Sequence, residues 1–158
     1  MKEVQGSLGE QRDGGLPTIV VTGASGLVGR HFLEAARDSF YIYAVSRQSQ
    51  RDAEVAIHKN VRWMRCDIGD EAMVRRLFDS IAMETTIDYV FHFAGYYDFT
   101  CRESPEYRRT NVEGTRHLLE GAERAQVKRF VFSSSLAVTD FAGPERTISE
   151  TSPADGTY

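Results

Sequence analysis

The sequence predicts an α/β protein built on an open, doubly wound parallel sheet, with strands in the order 3-2-1-4-5 and right-handed crossovers. Three observations carry this. Short β-branched or aromatic runs alternate with segments of helical period across most of the chain. The first run, Thr18 to Thr22, is β-branched throughout, as a strand in the middle of a parallel sheet requires. Gly23, Gly26 and Gly29 then follow at intervals of three, where the chain passes from that strand into a helix.

Each glycine has its own expected task. Gly23 turns the chain sharply off the strand, Gly26 lets the backbone approach a pyrophosphate, and Gly29 lets the helix pack tightly on the sheet. The helix then points free N–H groups and its positive dipole end at the phosphates. A tight turn that binds nothing is the alternative. No Gly-Lys-Ser/Thr closes the pattern, so a P-loop is not expected.

The helix is expected from near Gly26 to about Ser39, with Leu27, Val28, Phe32, Leu33 and Ala36 on one apolar face. Strand two runs from Phe40 to Ser46. It ends about twenty residues past the glycine turn, where an acid would hydrogen-bond a free ribose 2′-OH. Ser46-Arg47 stands there instead. Arg47 can pair with a 2′-phosphate and Ser46 can add a hydrogen bond, which favours NADP over NAD. An ordinary solvated arginine is the other reading.

Residues 48–60 form a polar loop. Strand three is Val61 to Cys66, closed by Asp67-Ile68. Asp70 is a good N-cap for a helix whose buried stripe is Met73, Val74, Leu77, Phe78 and Ile81. Strand four, Asp88 to Phe93, runs into Ala94-Gly95, small residues at a C-terminal strand end where ligands sit in such sheets. The loop Tyr96-Tyr97-Asp98-Phe99 either overhangs that crevice or plugs one end of the core. Ser104-Pro105-Glu106 starts a helix to about Ala125, with Val112, Thr115, Leu118, Leu119 and Ala122 inward. Asn111, mid-helix, has poor propensity and calls for a partner that holds it. Strand five is Val127 to Ser134, followed by Ser135. His92 reads as a packed strand residue, Asp98 as a loop cap, and Cys101 as an inert loop thiol.

Residues 1–16 read as a disordered leader and residues 17–158 as one domain, long enough to bury a core. A net charge of −4 gives no global attraction to nucleic acid or an anionic membrane, and no apolar run is long enough to span a bilayer. Cys66 and Cys101 show neither metal-ligand nor disulfide spacing, and no signal-peptide pattern is visible, so the expected compartment is the cytoplasm.

Taken together, these residues resemble the extended short-chain dehydrogenase/reductase family, the group containing NAD-dependent epimerases and dehydratases, from about Leu16 to the last residue. Thr22-Gly23-Ala-Ser25-Gly26-Leu27-Val28-Gly29 matches the family's cofactor turn. Cys66-Asp67-Ile68 looks like the element whose aspartate and following backbone contact adenine. His92-Phe93-Ala94-Gly95 resembles the segment lining the nicotinamide side. Asn111-Val-Glu-Gly114-Thr115 is similar to the central helix. Phe130-Val-Phe-Ser133-Ser134-Ser135 looks like the fifth strand, whose last serine is usually catalytic, and Tyr158 falls where the catalytic tyrosine is expected.

The resemblance implies a Rossmann domain that is truncated after its fifth strand. It also implies hydride transfer on a sugar nucleotide or other small carbonyl or hydroxyl compound, with Ser135 holding the substrate oxygen and Tyr158 moving its proton. In the family that tyrosine opens Tyr-x-x-x-Lys, and the lysine is not within these residues. A phenol's pKa of roughly 10 leaves about one part in a thousand ionised at pH 7, a gap of about 4 kcal/mol that a neighbouring ammonium helps to close. The chain alone is therefore expected to keep a dinucleotide site and have little or no turnover. The competing expectation is a non-catalytic NADP sensor or regulatory module. An exposed fifth strand predicts self-association or a homo-oligomer.

Overall fold

The computed structural model describes residues 15–98, 100, 102–135, 138–139 and 147–154. Its sheet has five parallel strands in the order β3-β2-β1-β4-β5. These are β1 (Thr18–Thr22), β2 (Tyr41–Ser46), β3 (Val61–Arg65), β4 (Tyr89–His92) and β5 (Arg129–Phe132). The helices are α1 (Leu27–Ala36), α2 (Glu71–Ala82) and α3 (Thr115–Arg124), with an eight-residue π-helical segment, Tyr107–Gly114, leading directly into α3.

Every residue of β1 is buried, because helices cover both faces of the sheet. The two-residue period divides its side chains. Ile19 and Val21 join Leu33 and Ala36 of α1 on one face, while Val20 joins Val74, Leu77, Phe78 and Ile81 of α2 and Leu118 of α3 on the other. Each Val, Leu, Ile or Phe side chain among these, fully buried, stabilises by roughly 1.5–3 kcal/mol. No buried side-chain nitrogen or oxygen among the described residues lacks a partner. Asp70 caps α2 as expected, its carboxylate accepting from Met73 N at 3.0 Å.

Register sets the position of the crevice. Thr22, the last residue of β1, lies beside His92, the last residue of β4. The strand order reverses between these two, so their ends open the gap where ligands bind in sheets of this kind.

Several expected boundaries shift. The first helix ends at Ala36 rather than Ser39: Ser39 N and Phe40 N both return to Ala36 O and close the turn there. The fifth strand ends at Phe132 rather than Ser134, because β4 offers no residue past His92 to pair with. The expected central helix is two structures, a π segment and then α3. Its widened turns leave Val112 57% exposed, and Leu119 is 47% exposed, although both were expected to face inward. Phe99 and Cys101 lie outside the described residues, as does residue 1–14 of the expected leader. No helix among the described residues is long and apolar enough to cross a membrane.

Candidate dinucleotide site

Gly23 has φ +71°, a conformation L side chains rarely adopt. A Cβ there would lie 2.5 Å from Ala94 N and 2.6 Å from Phe93 C. The turn is therefore seated on the exit of β4, and only glycine fits. Gly29 departs from expectation in what it approaches. A Cβ there would overlap Gly23 O and come within 2.9 Å of Ala24 Cα, so the close contact is between helix and turn rather than helix and sheet. Gly26 is exposed at the N-cap of α1.

No side chain caps α1 and no acid stands in its first turn. Its first intrahelical bond is Arg30 N to Gly26 O, and Gly26 N turns back to Gly23 O at 2.9 Å, which leaves the N–H groups of Leu27 to Gly29 without a partner inside the helix. Leu27 is 77% exposed and Val28 57% exposed, against the expectation of a buried stripe. They precede Gly29, in the first turn of the helix. The result is an apolar lip beside a set of free amide donors, which suits an anionic group attached to an apolar or aromatic one.

At the end of β2, Ser46 Oγ donates to Ser25 Oγ at 2.8 Å and accepts from Gln48 N at 3.1 Å. The two expected serines thus join the glycine turn to the β2 loop. Arg47 beside them is exposed. Asp67 is engaged within the protein: Oδ1 accepts from Gly69 N at 3.0 Å, and Oδ2 accepts from Arg109 Nη2 at 2.6 Å. Burial pushes its pKa up, but the Arg109 bond, the Gly69 N–H and the charges of Arg109 and Arg47 outweigh that and hold it below the usual value. The side chain of Ile68 is buried, and its carbonyl lies 3.1 Å from His117 Nδ1. Cys66, just before Asp67, is a buried free thiol whose pKa burial, then Asp67 and Asp70, raise to about 11.

On the other side of the crevice a hydroxyl–imidazole chain ties three elements together. Thr22 Oγ1 lies 2.6 Å from His92 Nδ1, and His92 Nε2 lies 2.9 Å from Thr115 Oγ1. Thr115 Oγ1 donates to Asn111 O at 2.7 Å, so its lone pairs face the imidazole. The network thereby assigns the proton to Nε2 and makes Nδ1 the acceptor for Thr22. Burial alone lowers the His92 pKa to about 4. His92 is the packed strand residue its context predicts.

Asn111 has its partner: Nδ2 donates to Tyr96 O at 2.9 Å and Oδ1 accepts from Tyr96 N at 2.6 Å. Four residues earlier, Tyr107 grips the same loop. Its hydroxyl accepts from Asp98 N at 3.0 Å and donates to Asp98 O at 3.3 Å, and its ring stands edge-on to Tyr96 at 5.0 Å. Asp98 caps the loop beyond, accepting from Thr100 N and Thr100 Oγ1. Sequence reading found Asn111 but not Tyr107, although the four-residue spacing from Asn111 was a usable signal. It also missed the Asp67–Arg109 pair, whose members are far apart in the chain.

The ring of Phe93 packs under α1 against Phe32, so this residue faces the crevice only through its backbone. Ala94 is half-buried and Gly95 exposed. Ser133 N and Oγ both donate to His92 O, which is strand-end bonding, while Ser134 and Ser135 are exposed. Tyr158 lies outside the described residues.

Residues 19–157 match the family model of the NAD-dependent epimerase/dehydratase family. The chain belongs to that family. Among curated relatives, it is 31% identical over 135 residues to uronate dehydrogenase of Pseudomonas syringae pv. tomato, covering 85% of this chain and 46% of the relative. It is 32% identical over 149 residues to UDP-glucose 4-epimerase of Erwinia amylovora, covering 89% and 43%. Among solved structures it resembles UDP-glucose 4-epimerase of Thermotoga maritima at TM-score 0.64 and 28% identity, covering 77% of this chain and 38% of that one. The chain thus spans under half the length of these relatives. The described sheet and glycine turn are this epimerase/dehydratase family's Rossmann-like dinucleotide domain.

Proposed function

We propose that the chain is the cofactor-binding part of an oxidoreductase or epimerase/dehydratase acting on a sugar nucleotide or other small carbonyl or hydroxyl compound. The observation that carries the reading is the uncapped first turn of α1, set beside exposed Leu27 and Val28 and held by a glycine turn with no room for a Cβ. These residues fit a pyridine dinucleotide. The amides of Leu27 and Val28 would hold the pyrophosphate, with Gly26 letting it approach, and the Leu27 and Val28 side chains would cover apolar parts of the cofactor. When bound, the nicotinamide supplies the hydride acceptor or donor. Ser25 and Ser46 would orient the adenosine ribose, Asp67 and the Ile68 backbone the adenine, and the Phe93 to Gly95 backbone the nicotinamide side. Asn111 acts at one remove, by fixing the loop at Tyr96. Ser133 and Ser134 would border the site, Ser135 would hydrogen-bond the reacting oxygen, and Tyr158 would move its proton.

NADP is the preferred cofactor over NAD. Ser46-Arg47 stands where an acid would select the free 2′-OH, and an arginine there suits a 2′-phosphate. We place the chain in the cytoplasm.

Titration with NADPH and NADH tests this directly. Trp63 is the chain's one tryptophan, and its indole N–H donates to Gln48 O, beside Arg47. Its emission should change on binding. Tighter NADPH binding, reversed by Arg47→Asp, supports the reading. Equal affinities would remove the cofactor preference, and no binding of either would remove the site.

A further inference from the structure

The geometry points to Arg30 as a second cation for the 2′-phosphate, a specificity determinant acting with Arg47; this rests on the NADP reading above. The argument begins with where Arg30 goes. It sits one residue past Gly29 in α1, and its side chain folds back toward the start of the helix. There Nε donates to Ser25 O at 2.8 Å. Ser25 is the residue whose hydroxyl meets Ser46, and Ser46 is followed by Arg47. The two guanidinium-bearing residues therefore flank one Ser25–Ser46 bridge, Arg30 from the glycine turn and Arg47 from the β2 loop.

Both are exposed, and neither has a carboxylate within ion-pair distance among the described residues. That contrasts with Arg62, Arg109 and Arg124, each paired to an acid. With Nε committed to Ser25 O, the two terminal nitrogens of Arg30 remain free to donate. A guanidinium anchored in this way presents a preset fork, the form that suits a phosphate dianion. A ribose hydroxyl gains little from it, so the effect belongs to the 2′-phosphate and not to the dinucleotide in general.

Trp63 emission would be followed with NADPH, NADH and 2′,5′-ADP for the chain and for Arg30→Met, Arg30→Lys and Arg47→Met. Arg30→Met is expected to weaken NADPH and 2′,5′-ADP roughly ten- to a hundredfold while leaving NADH unchanged. Arg30→Lys should recover part of the loss, having charge without the fork. The weakening should shrink with added salt. If Arg30→Met leaves the NADPH-to-NADH ratio intact while Arg47→Met collapses it, Arg30 has no such role and the cofactor reading survives. If NADH weakens equally with NADPH, Arg30 merely braces the turn and the proposal is overturned. If the unaltered chain does not discriminate the two dinucleotides, the NADP reading falls first and takes this with it.

Discussion

Replacing His92 with glutamine isolates a large pH-dependent contribution in the core. The imidazole is fully buried between two threonine hydroxyls, and burial takes its pKa from an ordinary 6.5 to about 4. At about 1.36 kcal/mol per pH unit, that difference is worth about 3 kcal/mol. Its sign follows from proton counting. Below pH 6.5 the unfolded chain protonates this histidine while the folded one does not, so stability is fully present above 6.5 and is lost as pH falls toward about 4. Glutamine has a donor and an acceptor for the two hydroxyls but does not titrate. Urea unfolding from about pH 7.5 to about 4 should show the chain losing about 3 kcal/mol more than His92→Gln, with exposed carboxylates cancelling between the two. Parallel pH profiles for the two proteins would refute the reasoning. So would a proton on Nδ1 rather than Nε2 in long-range nitrogen NMR, since the threonine network would then be wrongly assigned.

Further outcomes are expected. Gly29→Ala places a methyl group into Gly23 O, a backbone atom that cannot yield; the chain should lose several kcal/mol in thermal or urea unfolding, and an unchanged midpoint would show that the turn can relax. Tyr107→Phe keeps the ring contact with Tyr96 but removes both bonds to Asp98, so it should cost about 1–2 kcal/mol and speed amide exchange at Asp98, a change that native exchange rates would rule out. β5 is paired only to β4 among the described residues, and Phe132 is 53% exposed, so light scattering should show association rising with concentration; a clean monomer at high concentration counts against it.

Periodic features of the fold were legible in the sequence. β1 was bounded correctly because β-branched residues run without a break between a proline and a glycine. The α2 stripe was found because Val74, Leu77, Phe78 and Ile81 repeat at helical spacing. Leu27 and Val28 fit the same periodicity and were placed inside; helical period reports which side of a helix a residue occupies, not whether anything lies beneath it. The π segment was invisible, since one extra residue per turn leaves no compositional mark. At the site, Ser25 and Ser46 were marked by their positions relative to strand ends, and Asn111 by its poor propensity in mid-helix. Arg109 and Tyr107 were missed because their partners, Asp67 and Asp98, meet them only through the folded topology.

The four hydrogen bonds that Asn111 and Tyr107 make to the loop after β4 reach only main-chain atoms, at positions 96 and 98. Those bonds do not depend on which side chains the stretch carries. A change of side chain at 97 leaves those four bonds in place, much as pegs are swapped on a fixed rail, whereas Asp98 also caps the turn at Thr100 with its carboxylate. A protein built in this way can acquire a new preference for what it binds by replacing side chains alone, leaving its backbone path unaltered.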